Sequence, residues 1–65
     1  MFEFVDNITP DIKGKTYKTE YVYDIWEMVR CATNSRKEAN RAQDACCKLK
    51  TGETFSTEFY TIRRI

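Results

Sequence analysis

Ser35 and Glu38 stand three residues apart, immediately before Ala39, Ala42, Cys46 and Leu49. In a Ser-x-x-Glu capping box each side chain satisfies a free backbone N–H of the other residue, so a helix is expected to begin here. The four apolar residues recur at helical spacing and make one stripe, with Lys37, Arg41, Asp44 and Lys48 on the opposite side. The helix is read over residues 35–50. Lys48 and Lys50 suit the negative end of its dipole. Gly52 is the expected stop, because it tolerates positive φ. Small residues in the stripe let the helix axis approach closely whatever it covers, which suits a helix lying on a sheet whose large rings fill the gap.

Those rings are present. Nine aromatics occur in 65 residues, in a chain too short for more than one domain. Residues 21–32 begin Tyr-Val-Tyr and are rich in aromatic and β-branched types, which reads as a strand. Residues 24–33 also fit a helix, since Ile25, Met28, Val29 and Ala32 share a 3.6-residue period, and periodicity alone does not settle a short apolar run. The strand is preferred here because of its Tyr-Val-Tyr start. The fresh cap at Ser35, superfluous inside one long helix, points the same way. Residues 54–65 read as a further strand and residues 2–5 as a third, closed by a loop around Thr9-Pro10 and Gly14. The expectation is a single α+β domain over residues 1–65. It has two layers, a sheet of about three mostly antiparallel strands and one helix, 35–50, on one face. If the two strands flanking the helix run parallel, their crossover is right-handed. A core this small is marginal alone, so homodimerisation or docking on a larger partner is expected on physical grounds.

Composition narrows the chemistry. Histidine is absent, which removes the commonest general base near neutral pH and any Ser-His-Asp or Cys-His arrangement within the chain. Two glycines leave no phosphate-cradling loop, and the carboxylates are scattered. Three cysteines, Cys31, Cys46 and Cys47, lack CxxC spacing, so neither a zinc site nor any other metal or cofactor is expected. Their odd number, with no basic or apolar leader at Met1-Phe2-Glu3-Phe4, reads as reduced thiols in a cytoplasm. Cys47, one step off the stripe and far from the helix N-terminus, reads as an inert flanking thiol. No apolar run is long enough for a membrane span. An enzyme is not expected.

One feature breaks a local rule. Arg36 and Lys37 occupy the first turn of the helix, where cations oppose the macrodipole, and Arg41 follows one turn on. Residues 1–33 carry four basic and six acidic side chains, net −2, whereas residues 34–65 carry seven and four, net +3. Arg36, Lys37 and Arg41, joined by Arg30, Arg63 and Arg64, are therefore the candidate surface for anions or for the carboxylates of a partner.

The run Trp26-Glu27-Met28-Val29-Arg30-Cys31, the stretch 35–49 with Glu38-Ala39 and Ala42, then Gly52 and Phe59-Tyr60-Thr61-Ile62-Arg63-Arg64-Ile65, resembles small phage-encoded early proteins. Their outline is strand, Glu-Ala-rich helix, glycine, and a strand ending in arginine. The small inhibitor of bacterial RNA polymerase made by some short-tailed phages is similar in this outline over about 40 residues. The resemblance implies a protein that inhibits or modulates a bacterial host enzyme or defence protein by occlusion, in the host cytoplasm. The strongly acidic patch such inhibitors often use is missing, so no contact residue carries over. The alternative reading is a nucleic-acid-binding accessory protein that uses the basic helix N-terminus and exposed aromatics of the sheet.

Overall fold

A computed structural model of the chain describes residues 1–11 and 13–65. Six elements follow one another: β1 (Phe2–Asp6), β2 (Thr16–Thr19), α1 (Val22–Thr33), α2 (Arg36–Lys48), β3 (Thr54–Ser56) and β4 (Tyr60–Arg64). The strands form one sheet in the order β2-β1-β4-β3, antiparallel at every pairing. The α+β architecture is as the sequence implies, with four strands in place of three and two helices in place of one. The helix pair carries the chain from one edge of the sheet to the other, so no parallel crossover arises.

Register decides which residues meet the helices. Phe4 lies opposite Tyr17 on one side and Ile62 on the other; Asp6 lies opposite Tyr60, and Phe55 opposite Ile62. Directly opposed residues share a face. Phe2, Phe4, Tyr60 and Ile62 are buried on the helix side, where Ile25 and Val29 of α1 and Ala39, Ala42 and Cys46 of α2 meet them. The small stripe of α2 works as expected: three short side chains admit Tyr60, whose ring stacks with Phe4 at a 6.0 Å centroid separation. The other face of the sheet carries the row Lys18, Glu3, Arg63, Thr54 and the row Thr16, Val5, Thr61, Ser56.

Of residues 21–32, read as a strand, all but the extended cap Tyr21 are helical, and the helix runs on to Thr33. Ile25 and Val29 reach the core, with Val22, Trp26 and Met28 packed against it, which is the 3–4 spacing of a helix and not the period of two of a strand. The start is fixed by Thr19, whose hydroxyl accepts the Tyr21 N–H at 3.1 Å and donates to the Asp24 carboxylate in the first turn. The end is Asn34, at φ 53° and ψ 37°. This left-handed residue breaks the rod, and Ser35 starts another, its hydroxyl accepting the Glu38 N–H at 3.2 Å. The second cap therefore marks a second helix rather than a strand–helix junction.

Three further details differ from the sequence reading. The box at Ser35 is only half closed, because the Glu38 carboxylate turns away to the Tyr60 hydroxyl and to Arg41. Leu49, not Gly52, caps α2; Gly52, at φ 90°, forms the turn into β3 and donates its N–H to the Arg64 carbonyl at 2.6 Å. Residues 54–65 are a hairpin, in which the Thr57 hydroxyl accepts the N–H groups of Phe59 and Tyr60 to close the turn. β2 is an addition to the expected strands; Thr-Tyr-Lys-Thr after Lys-Gly-Lys is its hairpin signal.

Candidate protein-docking surface

With Ile25 and Val29 turned inward, Tyr23, Trp26, Glu27 and Arg30 follow one another along the neighbouring face of α1, Tyr23 exposed and the other three half-buried. These four form one connected ladder. The Tyr23 and Trp26 rings stack at 6.0 Å with planes 15° apart, and the Arg30 guanidinium lies 5.8 Å from the Trp26 ring centre. Glu27 joins the two ends: it accepts the Tyr23 hydroxyl at 3.0 Å and pairs with Arg30 at 3.8 Å. The hydrogen bond and the charge of Glu27 push the Tyr23 phenol above its ordinary pKa. On the far side, the Trp26 indole N–H donates to the Asn40 side-chain oxygen of α2 at 2.8 Å, which fixes the ring against the helix pair. Tyr23 itself is 66% exposed, and its neighbour Tyr21 67%.

Beside the ladder lies an apolar groove of about 420 Å³ between α1 and the edge strand β2. Phe4, Met28 and Ala32 line its apolar interior, Tyr17 lines it from β2, and Cys31 and Glu27 line it from α1. Glu27 thus belongs to both features. Asp6 and Thr9 complete the lining. Burial alone pushes the Asp6 carboxyl upward. The Thr9 and Ile8 N–H groups donate to it at 2.9 and 2.8 Å, outweigh that effect and hold it below the usual carboxylate range. The buried Asp6 carboxylate thus fastens the β1–β2 connection at the wall of the groove.

The six basic residues singled out from the sequence do not form one patch. Arg36, Lys37 and Arg41 stay together near the start of α2, where Arg36 and Lys37 are exposed. Arg41 pairs with Glu38 at 3.5 Å and sits 5.6 Å over the Phe55 ring. Arg63 and Arg64, adjacent on β4, point to opposite faces. Arg63 lies on the open face next to Glu3, whereas Arg64 donates to the Leu49 carbonyl at 2.7 Å and lies over Phe2. Arg64 is thus a latch between β4 and the end of α2. Only Arg30 stands in the aromatic ladder. The sheet's rings, which the nucleic-acid reading placed on an exposed face, lie on the helix side, and the open face carries none.

The cysteines occupy three different settings: Cys31 on the groove, Cys46 in the core and Cys47 exposed. Burial, helped by Cys47 beside it, pushes the Cys46 thiol up to about 11. It stays a neutral packing group. The ladder and groove were not found from the sequence, because their spacing, 23, 26, 27 and 30, has meaning only once residues 22–33 are a helix.

Among the described residues, no helix is long and apolar enough to cross a membrane. Compared with known proteins, the chain matches no family model, no curated protein and no solved structure.

Proposed function

We propose that this chain is a small non-enzymatic protein-binding module. In this reading it acts as phage-encoded early proteins do, inhibiting or modulating a bacterial host enzyme or defence protein in the cytoplasm by covering part of its surface. The observation that carries the reading is the Tyr23–Trp26–Arg30 ladder. Tyr, Trp and Arg are the residue types that dominate binding energy at protein interfaces, and here they are pre-ordered by stacking and by Glu27. Pre-ordering lowers the side-chain entropy lost on association. The groove alongside offers room for an apolar side chain of the partner. The lack of histidine and the neutral, buried state of Cys46 fit a chain that binds rather than transforms its target.

The test is affinity capture from bacterial lysate with the wild-type chain, Tyr23→Ala and Arg30→Glu side by side, each checked for native circular dichroism. The expected result is one stoichiometric host protein retained by the wild type and lost from both folded variants. Retention of the same protein by both variants, or no stoichiometric partner from any bacterial lysate, overturns the proposal. A mobility-shift titration at two salt concentrations addresses the nucleic-acid alternative through Arg36 and Lys37. A shift that collapses as salt rises would favour it.

A further inference from the structure

We infer that the free edge of β2 receives an extended, acidic segment of the protein partner as a fifth strand; this rests on, and refines, the docking function proposed above. Among the described residues β2 ends the sheet, with β1 on one side and no strand on the other. An unpaired strand edge is a template for main-chain pairing. All four of its residues but Thr19 are exposed, and Tyr17 is 38% exposed beside the groove. A strand laid against β2 would direct alternate side chains to the two faces of the sheet. One set would run past Tyr17 over the mouth of the groove, which asks for apolar residues. The other would pass Thr16 and Lys18 on the open face.

Charge selects the occupant. Lys13, Lys15 and Lys18 lie within six positions on and around β2, are all exposed, and make no ion pair among the described residues. A second copy pairing β2 with β2 would bring Lys15 and Lys18 of both copies to one seam, and β2 itself carries no carboxylate to offset them. A segment alternating acidic and apolar residues satisfies both the lysines and the groove. The other edge, β3, has three residues against four in β2, so it offers a shorter template.

The test titrates the isotopically labelled full chain with three probes: a ten-residue peptide alternating Glu and Val, its Lys–Val counterpart, and a ten-nucleotide oligothymidylate. Amide shifts and hydrogen exchange are read throughout. The Glu–Val peptide is expected to shift residues 16–19 and to slow exchange at alternate amides there. The substitutions Lys15→Glu and Lys18→Glu should each weaken that response by about fivefold, the upper range for one exposed ion pair. An equal response to the Lys–Val peptide, a stronger one to the oligonucleotide, shifts confined to α1, or no shift at all would each overturn the inference. Shifts confined to α1 would leave the proposed function standing. Conversely, protection of β2 with no host protein captured would remove the proposed function and keep the edge as a strand acceptor.

Discussion

The Trp26 indole donates to Asn40 across the two helices at 2.8 Å, and this bond supports the outermost ring stack of the molecule. Trp26 is half-buried against the core, and the Asn40 bond adds a directional hold on its plane. Asn40→Ala is expected to lower stability modestly, by about 0.5–1.5 kcal/mol, as for one ordinary hydrogen bond. The loss at the docking face should be larger than the loss of fold, because the freed indole no longer presents a fixed platform to Tyr23 and Arg30. Urea unfolding and tryptophan emission check the first part. Capture of the proposed partner checks the second. An unchanged emission maximum would show that the bond does not position the ring.

Asp6 makes stability depend on acid. Its carboxyl titrates below its ordinary 3.8 in the folded chain, so the charged form favours folding. That contribution is complete above the unfolded pKa and drains away as pH falls through the lower, folded-state value. Asp6→Asn keeps an acceptor for the Ile8 and Thr9 N–H groups but cannot titrate. It should be less stable at neutral pH and lose less on acidification. Asp6→Ala strands both N–H groups and should cost about 1–3 kcal/mol. Melting curves from about pH 7 down to about pH 2 separate the three chains. Parallel acid limbs for wild type and Asp6→Asn would contradict the assignment.

The alkaline side has its own pair. Burial foremost, then the Glu38 carboxylate, pushes the Tyr60 phenol up to about 12, and burial pushes the Cys46 thiol up to about 11. Both groups favour folding while neutral. Their contribution is full below the unfolded values of 10.0 and 9.0 and is lost as pH rises through the folded ones. Tyr60→Phe should cost about 1 kcal/mol or less at neutral pH, since it removes a 3.4 Å hydrogen bond and keeps the ring. In exchange, it should flatten the decline in stability above about pH 10, measured by denaturant midpoint at successive pH values. An unaltered alkaline limb would mean that Cys46 or another group carries it.

These pH effects rest on residues whose neighbours the sequence showed only in part. The α2 stripe was legible because Ala39, Ala42 and Cys46 repeat at helical spacing behind a capped start, and local physics alone decides that. β1 was legible over residues 2–5, but residues 54–65 read as one strand, so the turn between β3 and β4 was hidden, and Arg63 and Arg64, grouped in one surface, lie on opposite faces of β4. By contrast, α1 carries Val22, Tyr23, Ile25, Trp26 and Val29, whose intrinsic preference is extended. Packing of Ile25 and Val29 on the sheet overrides that preference, and packing is a property of the fold, not of the segment. The extended preference of α1 hides the Tyr23–Trp26–Arg30 ladder, since Tyr23, Glu27 and Arg30 are neighbours only on a helix. The basic patch failed for a related reason. Arg41 pairs locally with Glu38 in α2, while its contact with Phe55 and those of Arg64 with Leu49 and Phe2 come from elements distant in the chain.

Asn34 is where the two helices part, and its backbone makes a sharp prediction. At φ 53° it occupies the left-handed region, which asparagine visits more readily than most residues and glycine visits freely. Asn34→Gly should leave stability within a few tenths of a kcal/mol, whereas a β-branched Asn34→Val should cost about 1–2 kcal/mol. The alternative open to Asn34→Val is to relax φ towards helical values. That would run α1 into α2 as one rod, carry Ser35 out of its capping geometry and pull Trp26 away from Asn40. The signature is therefore a joint change: lower stability, higher helicity in the Ser35 amide shifts, and a red-shifted tryptophan. If Asn34→Val were as stable as the wild type and kept the Ser35–Glu38 cap, the left-handed hinge would not be what separates the helices.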